Sequence, residues 1–110
     1  MSMNETYTAN APTRADVDGL EGLTLLEFGT DWCGHCRAAQ PSLASVLTGR
    51  ELRHLKIEDG PGRPLGRSFR VKLWPTLILM KNGEELGRVI RPTSTQPIEE
   101  LLSKADGVAG

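Results

Sequence analysis

The 110-residue sequence is short of most features that single out a function. It has two cysteines, too few for the several bridges that hold small secreted domains together. Aromatic residues make up 5%, so an apolar core has to come from Leu, Ile, Val and Ala. Neither sign of charge is in surplus, since 13 Lys and Arg against 14 Asp and Glu leave −1. That balance gives no basic surface for nucleic acid or for an anionic membrane. No apolar run approaches the roughly 20 residues of a membrane span. The start, "MSMNETYTANAPTRADV", lacks a basic stretch followed by an apolar core, so no secretory signal is read and a cytoplasmic location is expected. Repeats and low-complexity tracts are missing too. The length suits one compact domain, expected over residues 13–106 with flexible ends at 1–12 and 107–110, and acting as a monomer.

What is present is order. A short edge strand is expected around Glu5 to Thr8, then a short helix in "TRADVDGL" between Pro12 and Gly19. "LTLLEFG" (Leu23 to Gly29) is apolar without alternation, the mark of a strand covered on both faces. A helix is expected from Asp31 to about Thr48, with Leu43, Val46 and Leu47 on one face and Pro41 kinking it. "ELRHLKIED" reads as a strand of uncertain facing. The Gly- and Pro-punctuated stretch from Gly60 to Val71 leaves room for a helical turn or two near Leu65 to Phe69. "TLILM" is a second buried strand. Asn82-Gly83 supplies a type I′ hairpin turn, and a strand returns over Glu85 to Ile90. "TQPIEELLSKA" closes the chain as an amphipathic helix, with Thr95 as cap and Ile98, Leu101 and Leu102 inward. Helices alternating with strands imply parallel pairing in the first half, and the hairpin adds an antiparallel pair.

Cys33 and Cys36 fall at the start of the second helix, where residues three apart are neighbours close enough for a disulfide. Unpaired backbone N–H groups and the positive helix end favour a thiolate on Cys33. Cys36 lies deeper. The asymmetry assigns Cys33 to attack a client disulfide and Cys36 to resolve the mixed disulfide. Glu27 interrupts the apolar strand, where a carboxylate is expensive, and burial is expected to push its carboxyl up toward the range of a general acid–base serving Cys36. An edge-facing, solvated glutamate is the plainer alternative.

"FGTDWCGHC" and "WPTLILMKNGE" together resemble the thioredoxin superfamily, over about Leu23 to Leu102. The resemblance implies an α/β, thioredoxin-like fold, a central mixed sheet of four to five strands flanked by helices. It implies thiol–disulfide exchange through the Cys33–Cys36 pair, with no cofactor and no metal. Disulfide-bearing protein clients would be the substrates, and a thioredoxin reductase or the glutathione system the partner. Trp32, Gly34 and His35 frame the cysteines, and Pro75 takes the place of a cis-proline that lies against an extended client. Glu27 stands where the family has a buried acid, and its basic partner is either His54 or Lys56. Four departures bear on clients and potential. His35 makes the motif the Cys-Gly-His-Cys of protein disulfide isomerases, which points to a more oxidising couple. Gly29 opens space where thioredoxins carry a tryptophan. Trp74 and Arg91 are bulkier than usual, and with Arg37 and Lys72 they suggest clients with acidic or aromatic character, unless Trp74 only fills a gap and Arg91 is merely solvated.

The rival readings are a reductase against an oxidase or isomerase, a non-catalytic binding module, and a metal site. One cysteine pair supplies half of a structural zinc site. A purely structural bridge closing so short a loop removes little chain entropy.

Overall fold

The structure, a computed structural model, describes residues 6–106. The expected 107–110 tail, and Glu5 of the expected edge strand, lie outside them. The elements in chain order are α1 (Arg14–Asp18), β1 (Leu23–Gly29), α2 (Gly34–Leu47), β2 (Arg53–Glu58), α3 (Pro64–Ser68), β3 (Thr76–Lys81), β4 (Glu84–Ile90) and α4 (Thr95–Ser103). The sheet order is β2-β1-β3-β4. β1 runs parallel to β2 and antiparallel to β3, and β3 and β4 form the antiparallel hairpin. Among the described residues the mixed sheet therefore has four strands.

β1 is buried from Thr24 to Gly29 because it is central and helices cover both sides. Leu25 points into a layer with Leu43 of α2, Leu77 and Leu79 of β3, and Ile98 of α4. Leu26 and Phe28 point the other way, toward Val17 of α1, Leu65 of α3 and Ile78 of β3. Two-sided burial removes the alternation that a half-exposed strand would show. The inward faces of α2 and α4 are those the spacing implies: Leu43, Val46 and Leu47 on one, Ile98, Leu101 and Leu102 on the other.

Two local expectations are revised. α2 begins at Gly34 rather than Asp31, because Cys33 is the residue that caps it. α4 is capped at Ser94, without a side-chain hydrogen bond, and Thr95 is its first helical residue. At Thr8, within the expected edge strand, the chain makes a single bridge: Thr8 pairs with Ile57 at the outer edge of β2, its N–H donating to the Lys56 carbonyl at 2.9 Å and its carbonyl accepting from Glu58 at 2.9 Å. That one bridge carries Tyr7 into the interior.

The hairpin tip is tied down as well as turned. Asn82 and Gly83 have φ of 51° and 83°, and the Asn82 side chain accepts from the Gly22 N–H at 2.7 Å. A Cβ on Gly83 would sit 2.2 Å from the Asp18 carbonyl oxygen, whereas one on Gly49, at a similar φ of 79°, would meet nothing within 4 Å. Gly49→Ala should therefore cost about 1 kcal/mol of backbone strain, and Gly83→Ala about 1–3 kcal/mol more through the clash. Urea unfolding of the two variants measures the difference, and equal costs would remove the contact from the account.

Candidate active site

The turn from β1 into α2 places the cysteines. Cys33 is extended (φ −74°, ψ 123°) and its sulfur accepts the Cys36 N–H at 3.3 Å, the hydrogen bond that an N-cap oxygen ordinarily makes. Gly34 and His35 complete the first helical turn, exposed, and Cys36 faces the core. Both cysteines are thiols. Cys33 retains 8% exposure and Cys36 1%, so Cys33 is the more accessible of the two. Burial pushes the Cys36 thiol up to about 12, and its hydrogen bond with Cys33 adds to the rise.

Glu27 has no exposure at all. Its carboxylate takes a hydrogen bond from the Gln40 amide at 2.9 Å, another from the Tyr7 hydroxyl, and meets His54 Nε2 at 2.8 Å. Burial raises a carboxyl, and that is the largest single influence here. The bonds from His54, Tyr7 and Gln40 together with the nearby Lys56 charge outweigh it, and Glu27 is held below its ordinary value. The expected upward shift is thus reversed. Glu27 is a carboxylate at neutral pH, an acceptor of protons and not a donor. Because it is ionised, the His54 nitrogen facing it acts as the donor.

The choice between His54 and Lys56 as partner resolves into both. His54 and Lys56 are two apart on β2 and turn to one face, and Lys56 is the register neighbour of Glu27. His54 meets the carboxylate directly, while Lys56 Nζ donates to the Gln40 side-chain oxygen at 2.9 Å. Gln40, one helical turn beyond Cys36, also donates to the Cys36 carbonyl at 2.7 Å. Two participants, Tyr7 and Gln40, were missed in the sequence. Gln40 carried a signal in its spacing from Cys36. Tyr7 carried only an indirect one, the space left by Gly29.

Around the rim, Trp32 is 74% exposed and stands edge-on to Trp74, ring centroids 5.9 Å apart. Trp74 packs against Tyr7 and the two cysteines and donates from its indole to Asp59 at 2.9 Å. The Trp74–Pro75 peptide is cis. Arg91 lies beside it with φ 52°, a left-handed conformation that favours glycine. Its N–H donates to the Pro75 carbonyl and its guanidinium to the Trp74 carbonyl, each at 2.9 Å. Arg37 and Lys72 are exposed. Among the described residues, no group of three or more His, Cys, Asp or Glu side chains is placed to hold a metal ion. Nor is any helix among them long and apolar enough to cross a membrane.

Comparison with known proteins agrees with this geometry. The thioredoxin family model matches residues 6–104. The thioredoxin of Chlamydia pneumoniae is 34% identical over 87 residues, 76% of this chain and 82% of that protein. The protein disulfide-isomerase of Hordeum vulgare is 29% identical over 110 residues, 93% of this chain but 21% of that protein. Among solved structures, thioredoxin 2 from Pseudomonas aeruginosa PAO1 in its reduced form is 56% identical, with a TM-score of 0.85 over 96% of this chain and 98% of that one.

The Glu27 network has a consequence for stability. Because the folded carboxyl lies below its ordinary value of 4.5, the unfolded chain takes up the proton first as pH falls. The stabilisation from Glu27 is complete above that value and drains away beneath it. Melting temperature followed from pH 7 down to pH 3 should fall in that window, and less steeply in Glu27→Gln. Parallel curves for the two proteins would count against the network.

Proposed function

The chain belongs to the thioredoxin family and is a thiol–disulfide oxidoreductase, and on that footing we propose that it acts as a cytoplasmic reductase of protein disulfides, with Cys33 as nucleophile and Cys36 as resolving thiol. The family implies protein disulfides as substrates and a reductase as partner. The observation that carries the assignment is the unequal placement of the two sulfurs, one capping the helix at the rim and the other sealed beneath it. The Cys33 sulfur already accepts the Cys36 amide, a hydrogen bond that strengthens when the sulfur is charged.

The exchange proceeds in two balanced steps. Cys33 sulfur attacks one sulfur of the client disulfide; that S–S bond breaks, a mixed disulfide forms, and the first client thiolate leaves and takes up a proton. Cys36 then gives up its proton and attacks Cys33 sulfur. The Cys33–Cys36 disulfide forms and the second client thiolate departs. Two electrons have passed to the client, and the couple consists of the two cysteines with no cofactor. A thioredoxin reductase or glutathione returns the electrons. Trp32, Trp74, Pro75 and Arg91 form the surface against which a client lies, and its basic and aromatic character suits clients of acidic or aromatic sequence. The Arg91 guanidinium occupies the Trp74 carbonyl beside the cis peptide, which narrows the set further.

The direction of electron flow admits a second reading, since His35 sits exposed in the first turn of α2. A cation there favours the dithiol and makes the disulfide more oxidising. Incubation of Cys36→Ser with a disulfide-bonded client peptide should trap a mixed disulfide at Cys33, and Cys33→Ser should trap none; no adduct with either variant would sink the assignment. Equilibration of the native protein with glutathione then decides direction. A potential near about −270 mV supports the reductase, and one near about −180 mV the oxidase or isomerase.

A further inference from the structure

We propose that Tyr7 is a catalytic residue in its own right, passing the proton of Cys36 to Glu27 as the mixed disulfide is resolved; this rests on the exchange reading above. The Tyr7 hydroxyl is placed between the two groups. On one side it donates to the Glu27 carboxylate. On the other it packs beside the Cys36 thiol in one buried cluster. Neither neighbour is open to solvent: Tyr7 is 8% exposed, Cys36 1% and Glu27 0%. A buried thiol that has to lose its proton needs a protein path, and this is the path the described side chains provide.

The position of the hydroxyl is built rather than incidental. The Tyr7 N–H donates to Asp31 in the turn before α2 at 3.2 Å, and the neighbouring Thr8 is held to β2 by two backbone bonds. Lys56 Nζ stands 4.5 Å over the ring centroid. Gly29 leaves the necessary room, since a Cβ there would lie 2.5 Å from Cys36 Sγ and 2.9 Å from the Tyr7 oxygen. The gap in β1 and the tyrosine from the N-terminal segment thus fit each other. The titratable groups facing Tyr7 are Glu27 from β1, Lys56 from β2, Asp31 from the turn and Cys36 from α2.

The step conserves protons and electrons. As Cys36 sulfur attacks Cys33 sulfur, its proton moves to the Tyr7 oxygen while the Tyr7 proton moves to Glu27. The hydroxyl is neutral before and after, which accords with burial and the Glu27 charge driving its own ionisation far upward. Glu27 holds the proton only transiently, since its surroundings favour the carboxylate, and the proton is finally taken by the departing client thiolate.

The test follows formation and resolution of the mixed disulfide separately, in single turnovers with a disulfide-bonded client peptide. Tyr7→Phe keeps the ring and removes the hydroxyl. Resolution should slow about tenfold or more, and its rate should come to climb with pH as hydroxide replaces the relay. Formation, measured in the Cys36→Ser background, should stay within twofold. Glu27→Gln should reproduce the altered pH profile, and the double variant should add little to either. A Tyr7→Phe protein that resolves at the native rate with the native pH profile overturns the relay, as does an equal slowing of both steps, which marks a structural role. Should Tyr7→Phe fail to fold, the native chain still answers, because Tyr7 is its only tyrosine. Fluorotyrosine incorporated there should shift its fluorine resonance when Cys33–Cys36 is oxidised, and an unmoved resonance overturns the proposal. If the Cys36→Ser protein forms no mixed disulfide at all, the exchange reading fails instead.

Discussion

Glu27 brings a full negative charge into the sheet face where Leu25, Leu43 and Leu77 pack. Left uncompensated, a buried carboxylate costs several kcal/mol. Here every direction from which water would approach is taken by a protein group: Tyr7 and Gln40 on one oxygen, His54 on the other, and the Lys56 charge beyond. Those four come from the N-terminal segment, α2 and β2, so holding one charge draws three parts of the chain together. The same demand explains why β2 turns His54 and Lys56 inward although both are polar.

That arrangement sets the working difference between the two cysteines. Cys33 stands at a helix start with its sulfur hydrogen-bonded to an amide and two tryptophans at its side. Cys36 is one turn deeper, its thiol pushed up by burial, and the Tyr7 packed beside it is hydrogen-bonded to the carboxylate. A sulfur at the rim and a sealed one are thereby separated by position alone. Gly29 is part of this geometry because it is the absence of a side chain there that lets tyrosine and thiol meet.

Much of the frame was legible in the chain. "LTLLEFG" reads as a two-sided strand because burial on both faces erases alternation, and β1 is such a strand. Asn82-Gly83 reads as a hairpin because few other pairs accept two positive φ angles. The boundaries that slipped were those governed by side-chain capping. A cysteine sulfur is an unusual N-cap, so α2 was expected three residues early, and Ser94 displaced Thr95 at α4. Within the site, Glu27 was legible as a buried acid, but the direction of its shift was not. Burial alone raises a carboxyl; the sign was reversed by hydrogen bonds from residues 13, 20 and 27 positions away.

The sequence by itself determined the succession of elements, the hairpin, and the pair of thiols at the start of a helix. Those depend on backbone conformations and on spacings within a few residues, which a linear chain displays. Only the tertiary structure decided that both His54 and Lys56 serve Glu27, and that Tyr7, from a polar segment with no periodicity, stands between Glu27 and Cys36. The energy of a buried charge or proton is a sum over neighbours brought from distant places in the chain. Such a sum has a value only once the fold has chosen the neighbours.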